Sequence, residues 1–138
     1  MKSHNYALRK AYYAVLQSIA NTYYQYAPES ETGDRFIVFQ QVSNTDASTF
    51  NSADTFTTMQ VKIYTKDTKG NAGSVADSIA DSVLQAIYPS KVSPLTLTGF
   101  QISSTSLVND NTETYDVQGT QYFVNRIITF RHQIFQTN

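Results

Sequence analysis

Apolar residues recur along this chain at two different periods, and the switches between them decide which secondary structures it can form. Across residues 5–22, Leu8, Ala11, Tyr12, Val15, Leu16 and Ile19 keep the i, i+3, i+4, i+7 spacing of one helix face, with no Gly or Pro between them. The same spacing returns over Ser74–Tyr88. There Val75, Ala76, Ile79, Ala80, Val83, Ala86 and Ile87 form one stripe, and Asp77, Ser78, Asp81, Ser82 and Gln85 form the opposite one. Ser74 with Asp77 resembles a capping pair, and Pro89 stops the helix.

Between and after these segments the period drops to two. Arg35–Ser43 reads as a strand whose Phe36-Ile37-Val38-Phe39 run is apolar on both faces. Thr55–Lys66 alternates cleanly, with Met59, Val61 and Ile63 on one side and Gln60, Lys62 and Tyr64 on the other. Pro94–Asn109 and Thr120–Phe135 read as the third and fourth strands. Tyr26–Asp34, with Pro28 and Gly33, reads as a connector; Asn44–Asp54 is a long polar loop, Asp67–Gly73 a turn, and Asp110–Gly119 a polar hairpin tip. The element order is therefore α-β-β-α-β-β. It predicts one α+β domain over residues 1–138: an antiparallel four-stranded sheet with two helices packed on one face. On the last strand, Tyr122, Val124, Ile128 and Phe130 should face the helices, and Phe123 and Ile127 should face outward.

Composition narrows the chemistry. The 138 residues contain no cysteine, which excludes disulfides, thiolate catalysis and cysteine-ligated zinc or iron–sulfur sites. The formal charge is −1 and the basic residues are scattered, so neither nucleic acid nor an anionic membrane is expected as a tightly held partner. Only 15% of residues are charged, whereas Ser, Thr, Asn and Gln exceed a third of the chain and there are 10 tyrosines and 8 phenylalanines. A neutral, tyrosine-rich surface suits a protein whose surface becomes interface. The longest apolar run, Ala11–Leu16, is far too short for a membrane span, and no apolar signal-peptide core follows Met1, so a soluble intracellular product is expected.

No constellation of catalytic residues stands out. His4 and His132, near opposite termini, are the two histidines, and His132 reads as a surface or interface residue without a neighbouring carboxylate in sequence. Asp77 and Asp81 lie four apart on the second helix, where a solvated polar face explains them better than a metal site. Asn109–Glu113 is oxygen-rich but lacks the order of a calcium loop. Gly70-Asn71-Ala72-Gly73 precedes a helix without the Gly-Lys-Ser/Thr ending of a phosphate loop. No enzymatic activity, cofactor or metal is expected.

The tyrosines carry more. On a helical projection of the first segment, Tyr6, Tyr13 and Tyr24 gather almost opposite the core stripe. The helix would then have two working faces, one in the core and one against a neighbour. Tyr6, Tyr13, Tyr24, Phe123 and Ile127 are accordingly the candidate self-association residues.

Several stretches, in order, resemble the tail terminator, or tail completion, proteins of long-tailed bacteriophages. Ala7–Leu16 is similar to the family's first helix; Val61–Thr65, a Gly-bearing turn and Ala76–Val83 to its strand–turn–helix; Pro94–Ile102 gives the closest match, and Tyr122–Phe130 resembles the closing strand. The departures are a longer polar loop at Ser43–Thr55, the tyrosine load, and Lys66-Asp67 where the family often has an aromatic residue. The resemblance implies a non-enzymatic structural virion protein that forms a ring, usually hexameric, which ends tail-tube growth and joins tail to head. Its partners would be itself, the tail tube protein and a head–tail connector protein, with DNA only passing through the lumen and no membrane contact. It would reside in the virion after assembly in the bacterial host cytoplasm. Another neck or connector ring protein, or a small dimeric α+β binding module, remains the alternative.

Overall fold

The computed structural model describes residues 3–46, 54–67, 72–117 and 121–137, with side chains excepted at 115–117 and 121. Its elements are α1 (Asn5–Leu16), β1 (Thr22–Tyr24), β2 (Arg35–Asp46), β3 (Asp54–Asp67), α2 (Ala72–Ile87), β4 (Phe100–Val117) and β5 (Gln121–Gln136). The strands form one five-stranded mixed sheet in the order β1-β2-β3-β5-β4, in which β1 runs parallel to β2 and the remaining neighbours are antiparallel.

The four-stranded antiparallel sheet and the α-β-β-α-β-β order are thus overturned. The missed element is β1. The periodicity of the first segment carried the helix to residue 22, but α1 ends at Leu16, and the chain tightens through Ile19 N–H to Leu16 C=O at 2.9 Å. Beyond Asn21, the β-branched Thr22 and two tyrosines suit a pleated surface better than a helix. They dock on β2 as Thr22↔Ile37, Tyr23↔Val38 and Tyr24↔Phe39. Bonds on either side of the pairing, Ile37 N–H to Asn21 C=O and Gln25 N–H to Phe39 C=O, are both 2.8 Å. Gln25, at φ +71°, then turns the chain into the crossover that returns it to Arg35.

The hairpins are longer than the polar composition suggested. β2 and β3 stay paired out to Asp46↔Thr55, and β4 and β5 out to Val117↔Gln121, so Asn44–Asp46 and Asp110–Val117 are ladder rather than loop. The remainder of both expected loops, at 47–53 and 118–120, and most of the expected turn, at 68–71, lie outside the described residues. Cross-strand backbone bonds satisfy a polar run as well as they do an apolar one. α2 begins at Ala72, so Ser74 is already inside the helix rather than at its cap.

Both helices pack on the same face of the sheet. Leu8, Tyr12 and Leu16 of α1 share one core with Ile79, Val83 and Ile87 of α2 and with Ile37, Phe39, Met59, Val61, Ile63, Ile128, Phe130 and Ile134. In β3, Thr55, Thr57, Met59, Val61, Ile63 and Thr65 are buried while the residues between them are half exposed. On β5, Val124, Ile128 and Phe130 are buried, but Tyr122 lies past the core and is 39% exposed. In β4 the alternation expected from Phe100 and Ile102 breaks at the register shift between Ile102 and Ser104, which buries Thr105 and leaves Ser104 and Ser106 outside.

The histidines are where sequence reading departs most from the structure. His132 is fully buried, with Nε2 hydrogen-bonded to the Tyr12 hydroxyl and Nδ1 to the Thr105 hydroxyl at 2.8 Å. Its surface assignment is therefore corrected. Period-two alternation carries it inward with Phe130 and Ile134, and two hydroxyls meet the ring. His4 is also buried and donates from Nε2 to the Thr57 hydroxyl at 2.6 Å, because that hydroxyl spends its own proton on Asn44 Oδ1 at 2.7 Å. Asn44 Nδ2 in turn donates to Asn5 Oδ1 at 3.0 Å. Thr57 and His132 are register partners, so histidines from opposite ends of the chain flank one point of the sheet.

Burial favours the neutral imidazole. It lowers the His132 pKa from 6.5 to about 4, and it also lowers that of His4, against the opposing effect of hydrogen bonding to the Asn44 side chain. The folded pKa lies below the unfolded one, so the histidine contribution is intact above pH ~6.5 and is lost as pH falls toward ~4. Urea denaturation should show stability falling by about 3 kcal/mol from His132 alone between pH 7 and pH 4. In His132→Leu that window should flatten, although the variant is less stable at pH 7. Tyr12→Phe leaves the His132 ring one partner short and should cost about 1–3 kcal/mol at pH 7, read as a lower urea midpoint at an unchanged denaturant slope.

Candidate functional site

A groove of about 660 Å³ lies between the outer side of α1 and the β1 edge of the sheet. Tyr6 and Tyr13 line it from α1, Tyr23 and Tyr24 from β1, and Phe39 contributes from β2. Its basic side chains are Arg9 and Lys10, and its lining includes no acidic residue. The Arg9 guanidinium lies 5.1 Å from the Tyr6 ring centroid and 5.0 Å from that of Tyr24, and the Lys10 ammonium lies 5.3 Å from Tyr6. Two tyrosines thus hold the Arg9 guanidinium in place over the groove. A second hollow of about 490 Å³ flanks the other side of α1, between Tyr6, Lys10 and Phe100.

Below the groove the packing is firm. Tyr24 meets Phe39 edge-on at 5.2 Å, and Phe39 stacks on Tyr12 at 5.8 Å. The aromatic surface also continues round the sheet edge. Tyr23 packs edge-on against Phe36 at 6.3 Å, and Phe36 stacks on Tyr64 at 4.8 Å, with the Lys62 ammonium 5.1 Å from the Tyr64 ring. Phe36, Tyr64 and Phe123 line a smaller hollow of about 150 Å³ with Glu31 and Lys66. Burial first, and then the Glu31 carboxylate, raise the Tyr23 hydroxyl above its ordinary pKa.

The candidate self-association residues fall on these surfaces by a different route from the helical projection. Tyr6 and Tyr13 are on α1, 62% and 46% exposed. Tyr24 is on β1 and half buried, a correction to its helical placement, yet it reaches the same groove because β1 lies alongside α1. Phe123 and Ile127 alternate with the buried Val124 and Ile128, both half buried; Phe123 joins the smaller hollow, and Ile127 pairs with Lys62 across β3. Sequence reading missed Arg9, Lys10, Tyr23, Phe36 and Tyr64 as members of these surfaces. The aromatic-and-basic density of Tyr6–Tyr13 was visible, but the joining of Tyr23 to Phe36 depends on the parallel β1–β2 pair.

Arg126, Asp110 and Asp77 are tied into the fold. Arg126 donates to both Asp110 oxygens at 2.6 and 2.7 Å and to Asp77 at 2.7 Å, linking β5 to β4 and α2. The Arg126 hydrogen bond holds the Asp110 carboxyl below its usual range, and the pair raises the guanidinium further above its own. Asp77 is thus an ion-pair partner, while Asp81 is exposed on the same helix. Among the described residues no group of three or more His, Asp or Glu side chains is placed to hold a metal ion, and no helix is long and apolar enough to cross a membrane.

No family model matches this chain, and the curated proteins hold no match to it. Among solved structures, it is similar to a chain described as "Virion of native gene transfer agent (GTA) particle", with a TM-score of 0.71 and 15% identity over 98% of this chain and 99% of that one. At that identity the likeness is one of fold, and it extends over essentially the full length of both chains.

Proposed function

We propose that this chain is a structural virion protein of the tail-terminator or tail-completion type, a subunit of a ring, hexameric in our reading, that caps the tail tube and joins it to the head. The carrying observation is the full-length fold likeness to a chain of a gene transfer agent virion. The resemblance of Ala7–Leu16, Val61–Val83 and Pro94–Ile102 to tail terminators points the same way. On this reading the partners are further copies of the chain, the tail tube protein and a head-side connector protein, with DNA passing through the lumen, and the site of action is the virion.

The geometry supports a subunit that works between two neighbours along an axis. The β2–β3 and β4–β5 hairpins extend from opposite ends of the sheet, since Thr55 pairs with Ile134 whereas Asp67 pairs with Tyr122. Both are long, polar ladders that could each meet a different partner. Both histidines are committed to core hydrogen bonds, and Arg126 to an ion-pair triad, so these side chains serve the scaffold.

The test is to add the purified chain to polymerising tail-tube protein from the same virion. Tubes should stop at shorter lengths, with the added chain at one end in electron micrographs. Unchanged tube lengths with no end-bound protein would overturn the reading, and a stable dimer by sedimentation would favour the binding-module alternative. Tyr13→Lys should leave urea stability within about 0.5 kcal/mol, because the ring is half exposed, yet should abolish capping. Normal capping by this variant would remove the groove from the interface.

A further inference from the structure

We propose that neighbouring copies join head to tail, the outer edge of β4 on one copy seating in the α1–β1 groove of the next. This rests on the ring reading above and names the two surfaces that would close it. A cyclic ring needs two different, mutually complementary patches on each subunit. The strand order β1-β2-β3-β5-β4 puts the groove at one edge of the sheet and β4 at the other.

The two edges are complementary in charge. α1 carries Arg9 and Lys10 and no acidic residue, whereas the described side chains of β4 include Asp110 and Glu113 and no basic one. Asp110 is held by Arg126, but Glu113 is exposed, as is Lys10. They are also complementary in apolar surface. Leu107 and Val108 on β4 are 39% and 53% exposed, facing solvent as Tyr6 and Tyr13 do at the groove. Lysine and glutamate at opposite edges of one molecule cannot meet within it, but they meet when copies line up.

The contact is made by side chains rather than by extending the sheet. Val108 falls in the register shift between Leu107 and Asn109, and a bulge at this point disrupts the regular edge that strand addition requires. On the groove side, β2 has a similar shift against β3 at Val42, between Gln41 and Ser43, past the end of its pairing with β1. The bulge leaves Val108 projecting, available to pack against the Tyr6 and Tyr13 rings.

The native absence of cysteine makes the test direct. A chain carrying both Tyr13→Cys and Val108→Cys should give, on mild oxidation, a disulfide ladder from dimer upward on a denaturing gel. Each single variant should stay monomeric there. Dimers from Tyr13→Cys alone would indicate a two-fold groove-to-groove contact and overturn the proposal. No ladder from chains that still form rings by sedimentation and electron microscopy would overturn this interface and leave the ring reading standing. No ring and no tube capping by the unmodified chain would sink both. Independently, Lys10→Glu and Glu113→Lys should each weaken association about tenfold or more, and combining them in one chain should restore it. Additive losses in the combined variant would count against the pairing.

Discussion

The long antiparallel ladder between β3 and β5 holds the two halves of this protein together. Its register runs from Asp54↔Phe135 to Asp67↔Tyr122, joining one hairpin from the first half of the chain to one from the second. Every outer strand is placed by one of these two. β2 and, through it, β1 hang from β3, while β4 hangs from β5. Because side chains alternate along a strand, the ladder also decides which residues form the floor for the helices. Met59, Val61 and Ile63 present that floor from β3, and Ile128, Phe130 and Ile134 from β5. Within the face, Thr65 donates to the Val124 carbonyl at 2.6 Å, binding the two strands near the start of α2.

Polar groups in this core add direction to what apolar packing supplies in bulk. Tyr12 buries its ring against Phe39 and its hydroxyl against His132, so α1 is fixed in rotation as well as in depth. His4, Thr57, Asn44 and Asn5 form a second chain that holds the start of the same helix over β3 and β2. An unmade bond in either place would leave a desolvated polar atom, which costs more than one apolar contact gains. The result is an α1 whose outer tyrosines stand at defined positions beside β1, and the groove exists because of that placement. The acid sensitivity expected of the fold has the same origin, since burial favours the neutral form of both imidazoles.

The surfaces left over are unequal. The α1–β1 edge is aromatic and basic and the β4 edge aliphatic and acidic; β4 carries a bulged valine, and so does β2 beyond its short pairing with β1. Bulges are a recognised way for a protein to keep exposed edges from pairing indiscriminately. A chain with few charges and many tyrosines has need of such a device, because a neutral polar surface does little to repel another copy. Directed association through two unlike edges and suppressed association through the backbone are compatible requirements on one sheet.

How much of this could be read from the chain follows from which interactions are local. The two helical stripes, the apolar alternation of β3 and β5, and the inward set Val124, Ile128 and Phe130 all express a period that a single segment contains, so the sequence alone determined them. The tyrosine excess likewise marked α1 as having a second face. Tertiary structure decided the rest, because it depends on partners distant in sequence. Thr22–Tyr24 is too short to declare itself a strand and becomes one only when Ile37–Phe39 offers its edge. Polar residues at Asp110–Val117 look like a loop until β5 supplies a ladder. His132 looks like surface until Tyr12, 120 residues away, and Thr105 meet its ring. Tyr24 lies on β1 rather than on the helix and lines the same groove as Tyr6 and Tyr13, since what brings it beside them is the docking of β1 against α1, a contact no local period encodes.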